Sequence, residues 1–392
     1  MHPNVPHLRF PEFHGEWCVS TIGEQFDLYS GNTPSRLNKE HFEGNVNWIT
    51  SGELKEHYIS DTKEKISEDA ATANNLKLLH PGTFVIAIYG LEADGVRGTG
   101  SITCKESTIS QACMAFTQKG DVKNEFLYSW YKKHGNIIGI KYAQGTKQQN
   151  LSYDILEKFH IAFPCQDEQD KLIKFISLLD ERIATQSKLI EDLKKLKSAI
   201  IEIEYTPNTK NTSHIGNVIE QISKRNKNNA IQNVLSVSNR QGFIKQSDQF
   251  ENRNVASEDT SNYKIVEKND FAFNPARINV GSIARLTTFE NGIVSPMYIC
   301  FRTQENVAPE YIDFFFESKH FYCEIQKRLE GSVRQCLSFE GLCNIPFSLP
   351  TLEMQQRIGK RLFTLGQKIK TETDLLELLN KQKQYLLRQM FI

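Results

Sequence analysis

Two long stretches of the chain carry an apolar residue alternately every four and every three positions. In the first stretch these positions are 172, 176, 179, 183, 186, 190, 193, 197 and 200, and seven of the nine are apolar. A 3.5-residue repeat places its apolar side chains on one stripe of an α-helix, and another helix must cover that stripe. We therefore predict two long amphipathic helices that pack together as an intramolecular coiled coil.

The second stretch repeats the first after 186 residues. Segment 145–156 aligns with segment 331–342, and without a gap this alignment places Pro164 on Pro350 and Gln169 on Gln355. An antiparallel pairing is favoured because a parallel one needs a long return crossing, and it would set Gln186 opposite Glu372 and so determine the register. The predicted helix–helix seam consists of Leu172, Ile176, Leu179, Ile183, Gln186, Ile190, Leu193, Ile358, Leu362, Leu365, Ile369, Glu372, Leu376 and Leu379.

Upstream of each predicted helix the two halves match in order but with gaps. Segments 22–24, 48–51, 81–89 and 109–116 pair with 215–217, 234–237, 268–275 and 294–301. Short β-rich runs between turn residues are typical of an α+β module. We therefore expect an α+β fold with a pseudo-two-fold internal repeat: α/β modules at 1–166 and 207–352, and long antiparallel helices at 167–206 and 353–392, the first ended by Thr206-Pro207.

Composition limits the possible functions. The 392 residues are 39% hydrophobic and 24% charged with a net charge of zero, so any DNA-binding surface must be local rather than a generally basic face. The sequence does not show the basic and then apolar pattern of a signal peptide, or an apolar stretch long enough to span a membrane. We therefore expect a cytoplasmic protein. The eight cysteines are scattered without a CxxC pair, and we expect reduced, mostly buried thiols and no metal site.

Two arginines lie at matching places in the two modules. Arg97 lies in a Gly-rich loop between two β-like runs, and Arg277 sits at the matching place in the second module. Both are candidates for DNA contact, although a plain hairpin explains the glycines of the first loop as well.

Two further kinds of segment suit DNA. Residues 223–229 are basic and amide-rich, and Lys224, Arg225 and Lys227 could contact phosphates unless the segment is simply a solvated loop. The segments Lys147-Gln148-Gln149 and Arg334-Gln335 immediately precede the segments that lead to the helices. They could contact bases or bind each module to its own helix.

Other motifs favour structure over chemistry. The aromatic runs 128–131 and 314–316 could stack on bases, but helix packing in the core is the stronger interpretation. Segment 274–277, Asn-Pro-Ala-Arg, lacks the second proline and the aromatic residue of an amino-methyltransferase motif, and His320 and Cys323 are too isolated to indicate a metal. We expect no catalytic residues and no cofactor bound by this chain.

The chain resembles the specificity subunits of type I restriction-modification systems, usually called HsdS. The resemblance covers nearly all of the chain, and in the second copy Met354 stands where the family's Glu-Gln pair would place Glu. The residues that carry it are the opening Leu8-Arg9-Phe10-Pro11-Glu12-Phe13 with Trp17, the turn Gly31-Asn-Thr-Pro34, the twice-present Leu-Ser-aromatic-acid segment, Pro164 with Glu168-Gln169, Pro350 with Gln355, and the helices.

This resemblance implies two target-recognition domains, each reading one half of a split target in double-stranded DNA. It also implies that the helices set the spacing and dock two methyltransferase subunits, with restriction subunits as further partners. Adenine methylation with S-adenosylmethionine, and cleavage with ATP and Mg²⁺, would belong to those partners. A protein-interaction scaffold and a stand-alone methyltransferase or nuclease are the alternatives.

Overall fold

The computed structural model describes residues 4–93, 95–145, 149–206, 212–239, 241–249, 259–331 and 335–392. The chain divides into two compact units. Unit 1 comprises Met1–Gln186 with Leu375–Ile392, and unit 2 comprises Ser187–Asp374. Each unit therefore combines one module with one end of each long helix, so the division between units runs through the helices rather than at their ends.

Unit 1 contains a mainly antiparallel sheet of five strands in the order β2-β9-β6-β7-β4, a three-stranded sheet β5-β3-β8, and the pair β1-β10. Its strands are β1 Cys18–Thr21, β2 Phe26–Ser30, β3 Val46–Ile49, β4 Tyr58–Ile59, β5 Lys65–Ile66, β6 Phe84–Ala87, β7 Gly100–Thr103, β8 Ser107–Ile109, β9 Cys113–Gln118 and β10 His160–Phe163. Its helices are α1 Ile22–Gln25, α2 Glu68–Ala73, α3 Asn124–Tyr142, α4 Tyr153–Glu157 and the beginning of α5 Gln166–Tyr205.

Unit 2 contains two four-stranded sheets, β12-β19-β16-β17 and β14-β13-β18-β15, and the pair β11-β20. Its strands are β11 Thr212–His214, β12 Ile219–Ile222, β13 Val234–Ser238, β14 Gly242–Lys245, β15 Lys264–Glu267, β16 Phe271–Phe273, β17 Ile283–Arg285, β18 Asn291–Val294, β19 Ile299–Thr303 and β20 Pro346–Ser348. Its helices are α6 Gln246–Gln249, α7 Pro309–Phe315, α8 Lys319–Gln326, α9 Phe339–Cys343 and the beginning of α10 Leu352–Met390.

The two modules share one topology. Strands β2, β9, β6 and β7 of unit 1 correspond to β12, β19, β16 and β17 of unit 2 in the same antiparallel order. A parallel pair also lies at the same place in each module, β3 with β8 and β13 with β18, while unit 1 has a second parallel pair, β4 with β7. Three of the four pairs of segments aligned in the sequence fall on these equivalent strands, and the fourth pair falls on α1 and on the 3₁₀ helix Ile215–Asn217. The predicted internal repeat and α+β fold are therefore confirmed.

The long helices run antiparallel, as the contacts inside each unit show. In unit 1, Leu172 and Ile176 near the start of α5 belong to the same buried cluster as Leu387 and Met390 at the end of α10. Lys383 of α10 also forms an ion pair with Asp180 of α5 there.

In unit 2 the opposite ends meet. Ile200 and Ile201 of α5 share a buried cluster with Ile358 and Leu362 of α10. All fourteen positions of the predicted seam are buried or half-buried, whereas most of the residues between them are exposed. The expected pairing of Gln186 with Glu372 would join different units and stays a prediction. Within unit 2, Glu372 is 9% exposed, and its carboxylate lies 2.6 Å from Nζ of Lys368, one turn earlier.

Aromatic side chains fill the module cores. In unit 1, Tyr128, Trp130 and Tyr131 of α3 are each at most 5% exposed and belong to one cluster. In unit 2, Phe314 and Phe315 are similarly buried. Burying such large side chains contributes roughly 2–3 kcal/mol each. The interpretation of both aromatic runs as core residues is confirmed.

A buried glutamine joins each module to its long helix. In unit 1, the Gln169 side chain accepts a hydrogen bond from the N–H of Lys123, the N-cap of α3, at 3.0 Å and donates to the carbonyl of Pro164 at 3.0 Å. In unit 2, Gln355 accepts from the N–H of Ala308 at 3.0 Å and donates to a proline carbonyl at 2.8 Å. Both amides are at most 2% exposed, so they satisfy backbone groups that water cannot reach.

Residues 4–17, which precede β1 and which we call the N-terminal arm, are attached to the rest of unit 1 by a buried ion pair. Arg9 donates through Nε and Nη2 to the two carboxylate oxygens of Glu168, each at 2.7 Å, and Glu168 is 1% exposed. In the second copy, Met354 occupies the position of Glu168 and contacts Nη2 of Arg357 through its sulfur at 2.9 Å. Because Met354 replaces the glutamate, the second copy has no carboxylate at this position that would need an arginine as its partner.

The expectation that most cysteines are buried is wrong. All eight are free thiols within the described residues, but only Cys113 and Cys300 are buried, while Cys18, Cys104, Cys165 and Cys323 are exposed. The two buried thiols lie on the inner strand β9 and its equivalent β19. The exposed ones lie on an outward-facing strand position, in connections between elements or on the outer face of a helix. Residue type alone does not specify which face of an element a cysteine occupies.

Candidate nucleic-acid interface

Strand register brings two connections to the same edge of each module. In unit 1, β2 and β6 both end beside the beginning of β9, where Ser30 pairs with Met114 and Ala87 pairs with Cys113. The loops 31–45 and 88–99 therefore leave the sheet at one edge. In unit 2, β12 and β16 end beside the beginning of β19 in the same way, so the loops 223–233 and 274–282 occupy the equivalent edge.

A third loop joins this edge in both units. It is closed by two backbone hydrogen bonds, between Gln144 and Asn150 in unit 1 and between Glu330 and Cys336 in unit 2, all of 2.8–2.9 Å. The next residue then donates its N–H to the loop that follows β6 or β16, from Leu151 to Ile88 at 2.9 Å in unit 1.

The equivalent bond in unit 2 joins Leu337 to Pro275 at 3.0 Å. Gly145 and Gly331 open the third loops with the same φ of 108°, a backbone conformation that favours glycine. We call the described residues of loops 31–45, 88–99 and 144–150 in unit 1, and of loops 223–233, 274–282 and 330–336 in unit 2, the loop edge of each unit.

Arg97 lies at the loop edge and is held by its neighbours. Its Nη2 donates to the side-chain oxygen of Gln149 at 2.8 Å, and the N–H of Gln149 donates to the carboxylate of Glu92 at 2.8 Å. This backbone hydrogen bond lowers the pKa of Glu92. The aliphatic part of Arg97 packs on Gly139 of α3, where a Cβ would lie 2.6 Å from Cγ of Arg97. The segment connects the antiparallel pair β6 and β7 and so forms a hairpin, while its contact with DNA stays a prediction.

Arg277 lies in the equivalent connection of unit 2, between β16 and β17, and its side chain is exposed. Its carbonyl accepts hydrogen bonds from Ser282 at 3.1 Å and from Val280 at 3.2 Å, so the connection is a compact turn. Asn274, the first residue of the Asn-Pro-Ala-Arg segment, is 6% exposed, and its side-chain oxygen accepts from the N–H of Ala276 at 3.1 Å. That asparagine stabilises the turn.

Loop 223–233 presents basic side chains to solvent. Lys224, Arg225 and Lys227 are exposed, and Arg225 donates to the side chain of Asn262 at 3.1 Å. Asn226, by contrast, is 2% exposed and exchanges two hydrogen bonds with the backbone of residue 231. Its amide maintains the loop, so the amide-rich character of this segment is partly structural.

The structure thus brings the described candidates together by unit. Lys224, Arg225, Lys227 and Arg277 lie on loops of one edge in unit 2, and Arg97 lies on the equivalent edge of unit 1. The remaining candidates, Lys147, Gln148 and Arg334, fall outside the described residues. The sequence does not predict the contact of Arg97 with Gln149, because the two residues are 52 positions apart and local sequence patterns report only near neighbours.

Metal-binding clusters and membrane-spanning helices are both absent from the part of the chain that the structure describes. Within the described ranges, no group of three or more His, Cys, Asp and Glu side chains is arranged to hold a metal ion. The ring of His320 lies 2.8 Å from the carbonyl of Pro346, while Cys323 is exposed. Among the helices in these ranges, none has the length and apolar character needed to span a membrane.

Comparison with known proteins connects the repeat to one family. The family model described as "Type I restriction modification DNA specificity domain" matches the chain twice, over residues 14–195 and 200–381. The second match is displaced from the first by 186 residues at both ends (200 − 14 and 381 − 195), which is the offset of the repeat. Each match covers one module and most of the helix that follows it.

Similar proteins agree with this match. The specificity subunit of the type I restriction enzyme MjaVIII of Methanocaldococcus jannaschii is 23% identical over 415 residues of alignment, covering 96% of this chain and 92% of that protein. The MjaIX specificity subunit of the same organism is 27% identical over 185 residues, covering 46% of this chain and 42% of that protein. The crystal structure of a type I restriction-modification S subunit from M. genitalium has the same fold, with a TM-score of 0.62 at 18% identity over 99% of both chains.

Proposed function

The chain belongs to the family of type I restriction-modification DNA specificity proteins, and from this membership we propose that each module reads one half of a bipartite, asymmetric DNA target. The two modules are target-recognition domains, and the loop edge of each is the surface that meets the DNA. Phosphate contacts would position each module, while contacts to base edges would select the sequence.

One observation carries this proposal: the two units have the same loop edge with different side chains. Equivalent backbone hydrogen bonds hold the third loop in both units, at Leu151 and at Leu337. The loops themselves differ, with Arg97 bound to Gln149 in unit 1 and an exposed Arg277 in unit 2. A shared scaffold with unlike loops is what a target with unlike half-sites requires.

The chain is proposed to supply sequence recognition and to leave the chemistry to its partners in the cytosol. We expect the long helices to set the distance between half-sites and to dock two methyltransferase subunits, with restriction subunits joining the complex. Those partners would methylate adenine with S-adenosylmethionine and cleave DNA with ATP and Mg²⁺. Family membership and the similarity to named specificity subunits support this division of labour.

The proposal is tested by mapping methylated adenines. The full chain is co-expressed with the methyltransferase encoded beside it, and the host genome is sequenced for N6-methyladenine. We expect one split motif with unlike halves and a constant spacer. A continuous motif, or no motif that depends on this chain, would contradict the proposal, as would DNA modification or cleavage by the purified chain alone with S-adenosylmethionine and Mg²⁺.

A matched pair of lysines tests the loop edge itself. Lys227→Ala should weaken DNA binding by the complex similarly for all sequences and reduce the slope of log K against log salt by about 1, because a phosphate contact is lost. Lys268→Ala is the control, since Lys268 is an exposed lysine of the same unit that precedes β16 and so lies away from the loop edge. Equal slopes for the two variants would contradict the assignment of this edge. A protein-interaction scaffold would show no steep dependence on salt at all.

A further inference from the structure

Leu37 has the most exposed large apolar side chain among the residues that the structure describes. It is 97% exposed, and the next such residue, Ile203, is 75% exposed. Single exposed leucines are common on protein surfaces and need no explanation by themselves. The significance of this one depends on how it is held and where it lies.

The turn 35–38, which carries this leucine, is held by a backbone hydrogen bond and by the contacts of Arg36. The N–H of Asn38 donates to the carbonyl of Ser35 at 3.3 Å and closes the turn. The Arg36 guanidinium donates to both carboxylate oxygens of Glu64, at 2.5 and 2.8 Å, and lies 4.5 Å from the centre of the Phe42 ring. The apolar side chain is therefore presented to solvent by an ordered turn, and binding a partner would cost little conformational entropy.

This turn belongs to the loop edge of unit 1. The N–H of Asn32, at the start of its loop, donates to the carbonyl of Ile109 at 3.3 Å. The N–H of Ile88, at the start of the loop that contains Arg97, donates to the carbonyl of Ala112 at 2.9 Å. One loop is thus bound to the end of β8 and the other to the turn that follows it, before β9.

The equivalent loop of unit 2 contains the exposed basic residues Lys224, Arg225 and Lys227. In both modules this loop follows the first strand of the large sheet, β2 or β12. Sequence reasoning identified the loop in unit 2 by its charge and missed its counterpart in unit 1. The signal that could have found it is the repeat itself, because the turn Gly31-Asn-Thr-Pro34 occupies the place of segment 223–226.

We propose that turn 35–38 is a DNA-reading element in which Leu37 packs against the 5-methyl group of a thymine in the half-site read by unit 1. This inference rests on the proposed function. The methyl group of thymine is the apolar feature that base edges display in the major groove. Leu37 is exposed on a surface that we propose to contact DNA, so it could pack against this methyl group. Removing both apolar groups from water on binding would be favourable.

The experiment compares Leu37→Ala with the unaltered chain, each in complex with its methyltransferase subunits. The probes are duplexes carrying the mapped target, and a set in which single thymines of the unit 1 half-site are replaced by deoxyuridine, which lacks the methyl group. We expect Leu37→Ala to lower affinity roughly tenfold, about 1.4 kcal/mol of lost apolar burial. One deoxyuridine position should reproduce that loss in the unaltered complex and add nothing to it in the variant.

The matched control is Leu8→Ala in the same unit. Leu8 is 42% exposed, and its neighbour Arg9 binds Glu168 at the start of α5, where Gln169 bonds to Lys123 beyond the end of β9. This leucine therefore lies away from the loop edge, which adjoins the beginning of β9. Its variant should retain full affinity and the same deoxyuridine profile. Because Leu37 is almost wholly exposed, its substitution should also leave the unfolding curve of the chain unchanged.

Two results would overturn the inference. One is that Leu37→Ala binds every probe as Leu8→Ala does, and the other is that it loses affinity with no deoxyuridine position that accounts for the loss. The absence of any split motif with the unaltered complex would instead contradict the proposed function. The two failures are therefore distinguishable.

Discussion

The buried ion pair between Arg9 and Glu168 allows the attachment of the N-terminal arm to be measured. Replacing Arg9 with methionine retains much of the aliphatic stem but removes both donors to a carboxylate that is 1% exposed. Leaving a buried charge without its partner typically costs about 3–5 kcal/mol. We expect Arg9→Met to lower the free energy of unfolding of unit 1 by an amount in this range.

The reverse substitution should cost less. In Glu168→Met, Arg9 remains 14% exposed at its side chain and still donates through Nη1 to the carbonyl of Gly15 at 2.6 Å. The expected loss is about 1–3 kcal/mol. The double variant buries no unpaired charge and reproduces the methionine that the second copy carries at position 354. It should therefore be more stable than Arg9→Met alone, with a coupling energy of about 2 kcal/mol or more.

The chain carries its own probe for this measurement. Its three tryptophans, Trp17, Trp48 and Trp130, all lie in unit 1, so tryptophan fluorescence during urea unfolding reports that unit. Arg36→Met is the control, because the pair of Arg36 with Glu64 has the same two hydrogen bonds but is about half exposed and should contribute at most about 1 kcal/mol. If the two single effects add to the double effect within about 0.5 kcal/mol, the two charges are not coupled and the reasoning is refuted.

Two further predictions concern single buried groups. Burial opposes the charged form of His57, but hydrogen bonds to Asp180 and Glu125 outweigh it and raise the pKa of His57 above 6.5, so charged His57 stabilises unit 1 at acidic pH. That stability should be lost as pH rises above about 6.5 and through the raised pKa. His57→Gln should therefore make the free energy of unfolding, measured by urea with tryptophan fluorescence, depend less on pH. An equally steep pH dependence in the variant would disprove the linkage. Gln169→Leu and Gln355→Leu should each cost about 1–3 kcal/mol, since each leaves a buried backbone N–H without its acceptor. Only Gln169→Leu should shift the fluorescence midpoint, whereas circular dichroism should detect both, and a fluorescence shift from Gln355→Leu would contradict the assignment of the two glutamines to separate units.

The elements that depend on periodicity could be predicted from the sequence. The 4-3 spacing of apolar residues identified both long helices and the side chains that they bury, because the side-chain direction in a helix follows from residue number alone. The repeat of 186 residues predicted that the two modules share a topology. Aromatic runs were correctly assigned to the core, since burying so much apolar surface outweighs most other uses of those residues.

What the sequence by itself determined is therefore the duplication, the helices and the α+β class of each module. Only the tertiary structure decided which residues share the loop edge, why Arg97 is bound to Gln149, and why Asn226 and most of the cysteines differ from expectation. These features depend on strand register and on contacts between segments that are distant in the chain. A loop's composition carries no record of the neighbour that the sheet places beside it, whereas an amphipathic helix displays its buried face in its own spacing.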